Sequence, residues 1–343
     1  MTRETPIIGI SMGDPAGVGP EIIAKALARP QVHALCRPVI IGDAGVISRG
    51  IGIVQARLTV HPIARIGEAK FRTDVVDVYD LGNVDLNRLE MGKVSAMAGH
   101  AAFEAVRTMI ELALAGAIQA TVTAPIHKEA LLAAGHHFPG HTEIFAHFTG
   151  TRDFTMMLAT ENLRIVHVST HVSLRQACDA VTQQRVLKVI ELAHDACVQL
   201  GVAKPVIGVA GLNPHASDGG LFGTEEREQI VPAIADARAR GIDAQGPHPP
   251  DTFFAKAMSG VYDACVAMYH DQGHIPGKIR GFHFDATSGT WDGVKGINVS
   301  LGLPIVRTSV DHGTAFDQAG NGTASEASLL DAIEYAARMA RKT

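Results

Sequence analysis

The stretch IIGISMGDPAGVGPEII, residues 7–23, decides the fold class. Five apolar residues rich in isoleucine read as a buried strand, a glycine- and proline-punctuated turn follows, and Ile22, Ile23 and Leu27 then recur at helical spacing. A strand running through a glycine turn into a helix is the opening of a dinucleotide-binding unit, but the G-x-G-x-x-G frame that starts at Gly17 ends on Ile22. The chain is therefore read as α/β without being a Rossmann fold. Further strands run likewise into polar loops: ATVTA (120–124) into PIHK, LRIVHVS (163–169) into THV, VIGVAGL (206–212) into NPHA and ACVAM (264–268) into YHDQGH. In open parallel sheets ligands bind beyond the carboxyl ends of strands, where loops and helix N-termini converge.

Working outward, 38–42, 262–268, 297–300 and 305–309 complete the expected strands. Helices are expected over 95–115, with Phe103, Val106, Ile110 and Leu114 inward, over 186–200, and over 325–341 with Ser325 as N-cap. Residues 278–295 read as an irregular excursion. At 343 residues the chain has room for two lobes, with 46% hydrophobic and 19% charged residues, as in a folded enzyme rather than a disordered chain. The net charge of -5 and the absence of a basic run argue against nucleic acid as a partner. No run approaches 18 apolar residues, so neither a membrane span nor a membrane partner is expected. Cys36, Cys178, Cys197 and Cys265 are widely spaced and form no C-x-x-C pair, which suits buried thiols in a reducing cytoplasm.

The 17 histidines are the unusual feature, and four of the five polar strand-end loops hold at least one. His171, His215 and His270 each follow a buried strand and are the candidate metal ligands, with His141, His274 and His312 in reserve; neutral imidazole suits Zn, Co, Fe or Mn. His270 and His274 are four apart, but Gly273 and Pro276 favour a loop there. The glycine-rich segment 311–322 permits close backbone approach to a flat ligand, and Asp317 suits ribose hydroxyls. Lys278, Arg307 and Lys128 are candidate anion-binding cations; Arg307 lies inside the apolar run LGLPIVRTS, where a charge needs a partner. The histidine set on its own also fits a metal-dependent hydrolase.

Taken together, MGDPAGVGPE (12–21), TAPIHKEAL (123–131), GHTE (140–143), NPHA (213–216), AMYHDQG (267–273) and RTSVDHGTAFDQAG (307–320) resemble the 4-hydroxythreonine-4-phosphate dehydrogenase family and its D-threonate and D-erythronate 4-phosphate dehydrogenase relatives. The resemblance implies a two-lobed fold like that of isocitrate and isopropylmalate dehydrogenases, with a largely parallel core sheet. Residues 1–130 plus 296–343 would form the cofactor-side lobe, and 131–295 the metal, substrate and dimerisation lobe. A cytoplasmic homodimer with a shared active site is implied. So are one divalent metal (Zn, Mg, Co or Mn) on His171, His215 and His270, and substrate binding by His141, Thr142, Lys278, Asn298 and Arg307. NAD or NADP would lie on Gly313, Thr314, Asp317, Gly320 and Asn321. Asp271, His141 and Asp251 are the implied catalytic groups. The implied reaction oxidises and decarboxylates a 4-phosphorylated 3-hydroxy acid: 4-phosphooxy-L-threonine to 3-amino-2-oxopropyl phosphate in pyridoxal phosphate biosynthesis, or alternatively D-threonate or D-erythronate 4-phosphate in sugar-acid catabolism. His274 in HDQGHIP, and the connection over 279–297, resemble the latter relatives.

Overall fold

The computed structural model describes residues 5–287 and 290–341. In chain order the strands are β1 (Ile7–Ser11), β2 (Arg37–Gly42), β3 (Thr59–Ile63), β4 (Val75–Asp80), β5 (Ala120–Thr123), β6 (Thr155–Thr160), β7 (Leu163–His167), β8 (Val206–Ala210), β9 (Asp243–His248), β10 (Ala264–Ala267), β11 (Phe282–Asp285), β12 (Thr290–Val294), β13 (Ile297–Leu301) and β14 (Arg307–Val310). The chain divides into two compact units, Met1–Arg152 with Leu303–Arg341, and Asp153–Gly302. The sequence reading had placed these borders at 130/131 and 295/296.

In the first unit β3, β4, β2, β1, β5 and β14 lie side by side in that order, every pair parallel. β1 and β5 are buried along nearly their whole length, which is why they read as continuous apolar runs instead of alternating ones. The helix Ala96–Leu114 covers the sheet. Ser95 caps it by accepting from the Ala98 N–H, and Phe103, Val106, Met109 and Ile110 enter a core with Val39, Ile41 and Phe145. Each such side chain contributes roughly 1.5–3 kcal/mol by leaving water. Leu114, expected on that stripe, is 49% exposed because the buried face turns onto Met109 and Ala113. The last helix, Ala327–Ala340, begins one residue after Glu326, so Ser325 accepts from Ala327 outside the cap position.

In the second unit the order is β13, β6, β7, β10, β8, β9. β13, β6 and β7 pair antiparallel, whereas β7, β10, β8 and β9 are parallel. The helix Gln183–Gln199, capped by Thr182, buries Val186, Val189, Ile190 and Cys197. Two expectations change here. Residues 270–281 form a helix rather than a loop, because missing side chains decide the packing: a Cβ on Gly273 would meet His167 Nε2 at 2.4 Å, and one on Gly277 would meet Leu158 Cδ2 at 2.5 Å. Tertiary fit outweighs the local breakers Gly273 and Pro276. Within 278–295, taken as irregular, β11 and β12 pair as an antiparallel hairpin. The α/β class and the mainly parallel sheet agree with the sequence reading.

Candidate functional site

In the first unit the loops after β1, β5 and β14 pack on one another. Gly13 has φ +73°, and a Cβ there would strike Pro125 O at 2.5 Å; the Val18 N–H donates to Thr314 O at 3.1 Å. The buried Glu21 carboxylate accepts from the Gly320 N–H at 2.6 Å and the Gly322 N–H at 2.7 Å. It thereby fixes the segment on which the candidate cofactor residues lie. Thr314 is buried, while Gly313, Asp317, Gly320 and Asn321 are exposed. The His127 ring stacks on Phe316 at 4.5 Å, and one buried atom on each of Asp14 (Oδ2) and His127 (Nδ1) lacks a hydrogen-bond partner. Burial pushes the Asp14 carboxyl up to about 6, against a backbone hydrogen bond from Ala16 and the nearby His127. Neither residue was among the candidates read from sequence, where Asp14 lies in the glycine-rich turn and His127 in the strand-end loop PIHK.

A second cluster in this unit surrounds Arg307. Its guanidinium is buried and donates to Thr123 Oγ1 at 2.8 Å and to Thr142 Oγ1 at 3.4 Å, with Phe145 5.7 Å beneath it. Burial lowers its pKa to about 9, offset in part by Glu143. His141, at the first position of the helix His141–Thr149, is held well below its ordinary pKa by burial and by Arg307, and its Nε2 has no hydrogen-bond partner. A neutral imidazole, a hydroxyl, a helix N-terminus and a buried cation together suit an anion.

In the second unit His167, His171, His270 and His274 form a cluster. His270 stacks on His274 at 3.8 Å between ring centroids, His171 lies 5.9 Å from His270, and His167 lies 4.7 Å from His274. His270 Nδ1 pairs with Asp271 Oδ1 at 2.7 Å, which leaves Nε2 as the ligand-competent nitrogen. The same contact makes Asp271 an orienting group for His270. His215 has its Nδ1 3.8 Å from Asp251, and with Asn213, Asp251, Tyr269 and Gln272 it lines a cavity of about 280 Å³. In chemical kind the three imidazoles fit a divalent cation. Two of them are neighbours, and among the described residues no three His, Cys, Asp or Glu side chains converge on one point. Lys278 lies on the helix His270–Gly281 over the Phe282 ring, and Asn298 on β13. Sequence reasoning missed His167, which is wholly buried, because within β7 it reads as part of an apolar run.

A family model described as pyridoxal phosphate biosynthetic protein PdxA matches residues 34–336. The chain belongs to the PdxA family. A PdxA relative, the D-threonate 4-phosphate dehydrogenase of Cupriavidus necator, is 46% identical over 100% of this chain and 99% of its own. The structure of 4-hydroxythreonine-4-phosphate dehydrogenase from Klebsiella pneumoniae is 44% identical with a TM-score of 0.86, covering 98% of this chain and 100% of that one. A terephthalate 1,2-cis-dihydrodiol dehydrogenase from Burkholderia xenovorans is 32% identical with a TM-score of 0.68, covering 97% and 98%. This PdxA-family chain is thus an enzyme of a dehydrogenase family, which decides against the metal-dependent hydrolase. No helix among the described residues is long and apolar enough to cross a membrane.

Proposed function

We propose that this PdxA-family enzyme oxidises and decarboxylates a 4-phosphorylated 3-hydroxy acid with NAD or NADP, D-threonate 4-phosphate first. The observation that carries the phosphorylated substrate is the Arg307 cluster, where a buried guanidinium meets the N-terminus of a helix beginning with His141 and Thr142. A phosphate there would compensate the buried charge and accept from Thr142 and the helix N–H groups. Lys278 and Asn298 are the further substrate ligands of this reading. Gly313, Thr314, Asp317, Gly320 and Asn321 hold the dinucleotide on the segment clamped by Glu21.

His171, His215 and His270 would hold a divalent metal, which when bound polarises the C3 oxygen and stabilises the charge that develops on loss of CO2. Asp271 keeps the His270 ring in the tautomer that presents Nε2. In this reading Asp251, beside His215, and His141, whose Nε2 has no hydrogen-bond partner, would hold or relay the C3 hydroxyl proton. Hydride leaves C3 for the nicotinamide, the carboxylate leaves as CO2, and C2 takes up a proton. D-Threonate 4-phosphate then gives dihydroxyacetone phosphate, and 4-phosphooxy-L-threonine gives 3-amino-2-oxopropyl phosphate. D-Threonate 4-phosphate stands first because relatives bearing that name match the whole chain at 46% identity. The name of the Klebsiella enzyme, a 4-hydroxythreonine-4-phosphate dehydrogenase, favours the amino substrate as the second reading. A homodimer in the cytoplasm belongs to the same proposal. The test supplies metal-loaded protein with NAD or NADP and each phosphorylated acid, following reduced cofactor and CO2. Turnover with D-threonate 4-phosphate and not with D-threonate supports the reading, and absence of turnover with all of the phosphorylated acids overturns it.

A further inference from the structure

His215 stands on an unusual backbone. His215, Ala216, Ser217 and Asp218 have φ of 54°, 55°, 68° and 44°, so four consecutive L-residues lie in the left-handed region before Gly219 and Gly220 continue it. Each such residue carries a steric cost, and a run of four persists only where the surroundings over-determine it. The determinant lies at the entry to the turn. The buried carboxylate of Glu226 accepts from the Leu212 N–H at 2.8 Å and the Asn213 N–H at 2.7 Å through Oε1, and from Asn213 Nδ2 at 2.9 Å through Oε2. Asn213 Nδ2 also donates to Glu225 Oε2 at 2.8 Å. Only the NH2 side of an amide can face two carboxylates, so the orientation of Asn213 is chemically fixed. A Cβ on Gly223 would approach Asn213 Nδ2 to 2.5 Å, so the amide is also held sterically.

We infer that Glu226 is a positioning residue that sets the direction in which His215 enters the cavity it shares with Asp251 and Gln272. The inference rests on the reading above for the role of His215, but it concerns the backbone that carries it. The carboxylate locks the two residues before Pro214, Pro214 fixes the next φ, and the left-handed run can then begin at one place only. Glu226 touches neither substrate nor metal in this scheme; it acts through the turn.

Glu226→Gln is the informative substitution because it keeps the shape and one oxygen for the two backbone donors. Its NH2 would face the NH2 of Asn213, and turning Asn213 over would point its oxygen at the Glu225 carboxylate. Glu225→Gln combined with Glu226→Gln relieves this conflict, since both new amides can then donate to Asn213 Oδ1, and gives up only the exposed hydrogen bond that Glu225 Oε2 accepts from the Thr224 N–H at 3.0 Å. The first readout is hydrogen exchange of metal-free protein. Glu226→Gln should accelerate exchange at Leu212 and Asn213 at least about tenfold with the melting temperature little changed, and the double variant should reverse this. The second is cobalt(II) affinity and kinetics: affinity and kcat should fall about 10- to 100-fold, as for outer groups that orient a ligand, with the substrate KM nearly constant. Recovery in the double variant distinguishes positioning from general support of the fold. Unchanged exchange and unchanged cobalt affinity in Glu226→Gln would overturn the inference, as would a melting-temperature loss that the double variant does not restore. If Glu226→Gln does not fold, Glu226→Asp, which keeps the charge and shortens the reach, replaces it in the same two measurements. Wild-type protein that binds no cobalt and reduces no cofactor would instead refute the proposed function, leaving the exchange comparison to decide the role of Glu226.

Discussion

Arg307 shows how one residue carries both a cost and a use. Its pKa of about 9 reports a penalty of burial that outweighs the favourable charge of Glu143, while Thr123, Thr142 and Phe145 contact the guanidinium. A dianionic phosphate would favour the charged form further, so binding strength and the unfavourable burial are two sides of one arrangement. Arg307→Lys keeps a charge but loses the planar fork that spans Thr123 and Thr142. Charge-assisted hydrogen bonds of about 1.5–3 kcal/mol correspond to a fall in kcat/KM of roughly 10- to 100-fold. Steady-state kinetics should show that loss for the phosphorylated acid and a much smaller one for its unphosphorylated counterpart; equal losses would separate Arg307 from the phosphate. Arg307 was legible in sequence because a cation inside LGLPIVRTS has no innocent explanation. Thr123 and Phe145 were not, since nothing in a linear chain says that residue 123 will lie 2.8 Å from the side chain of residue 307.

At the scale of elements, the helix His270–Gly281 was misread for a physical reason that makes a prediction. Gly273 and Pro276 weaken a helix locally, yet Gly273 is where the helix presses on His167. Gly273→Ala gains about 1 kcal/mol of helix propensity. It also places a Cβ 2.4 Å from a ring nitrogen, and overpacking of that kind costs about 1–3 kcal/mol, so destabilisation should win. Adding His167→Ala should relieve the larger part of the clash, leaving the 2.7 Å approach to Ile165 Cγ2, so the two substitutions form a non-additive pair in denaturant midpoints. A second element, the segment 313–322, depends on Glu21. Glu21→Gln leaves one of the Gly320 and Gly322 N–H groups facing an NH2, and the KM for NAD should rise about 5- to 30-fold, the equivalent of about 1–2 kcal/mol, with kcat less affected. The apolar runs of β1, β2, β5, β7, β8 and β10 and the long helices were readable because their patterns are local. β3, β4 and β9 escaped because they are partly exposed or interrupted, as by Pro62 and Pro247, and β6 because TMMLAT has no Val or Ile to mark it as a strand.

For the whole molecule, buried titratable groups set how stability follows pH, and two of them pull in opposite directions. His167 is held at about 3, chiefly by burial and then by His274, whereas in an unfolded chain it titrates near 6.5. Between those values the unfolded chain binds the proton that the folded one refuses, so this contribution is complete above pH 6.5 and is lost as pH falls towards 3. Asp14 does the reverse. Raised to about 6 from 3.8, its carboxyl is protonated in the fold before it is in the unfolded chain, so it destabilises above pH 6 and that penalty disappears as pH falls towards 3.8. Over about pH 6 to 4 the two slopes oppose each other, and His274, lowered by burial to about 4, adds to the slope of His167, so wild-type protein alone does not separate them. His167→Leu separates them: without an ionisable group, it should gain stability relative to wild type by up to about 1.4 kcal/mol for each pH unit between 6 and 4. Denaturant unfolding of chelator-treated proteins at pH 7, 6, 5 and 4 gives the comparison. Parallel curves would mean that His167 is protonated in the fold, and the neutral, buried histidine behind His274 would have to be abandoned.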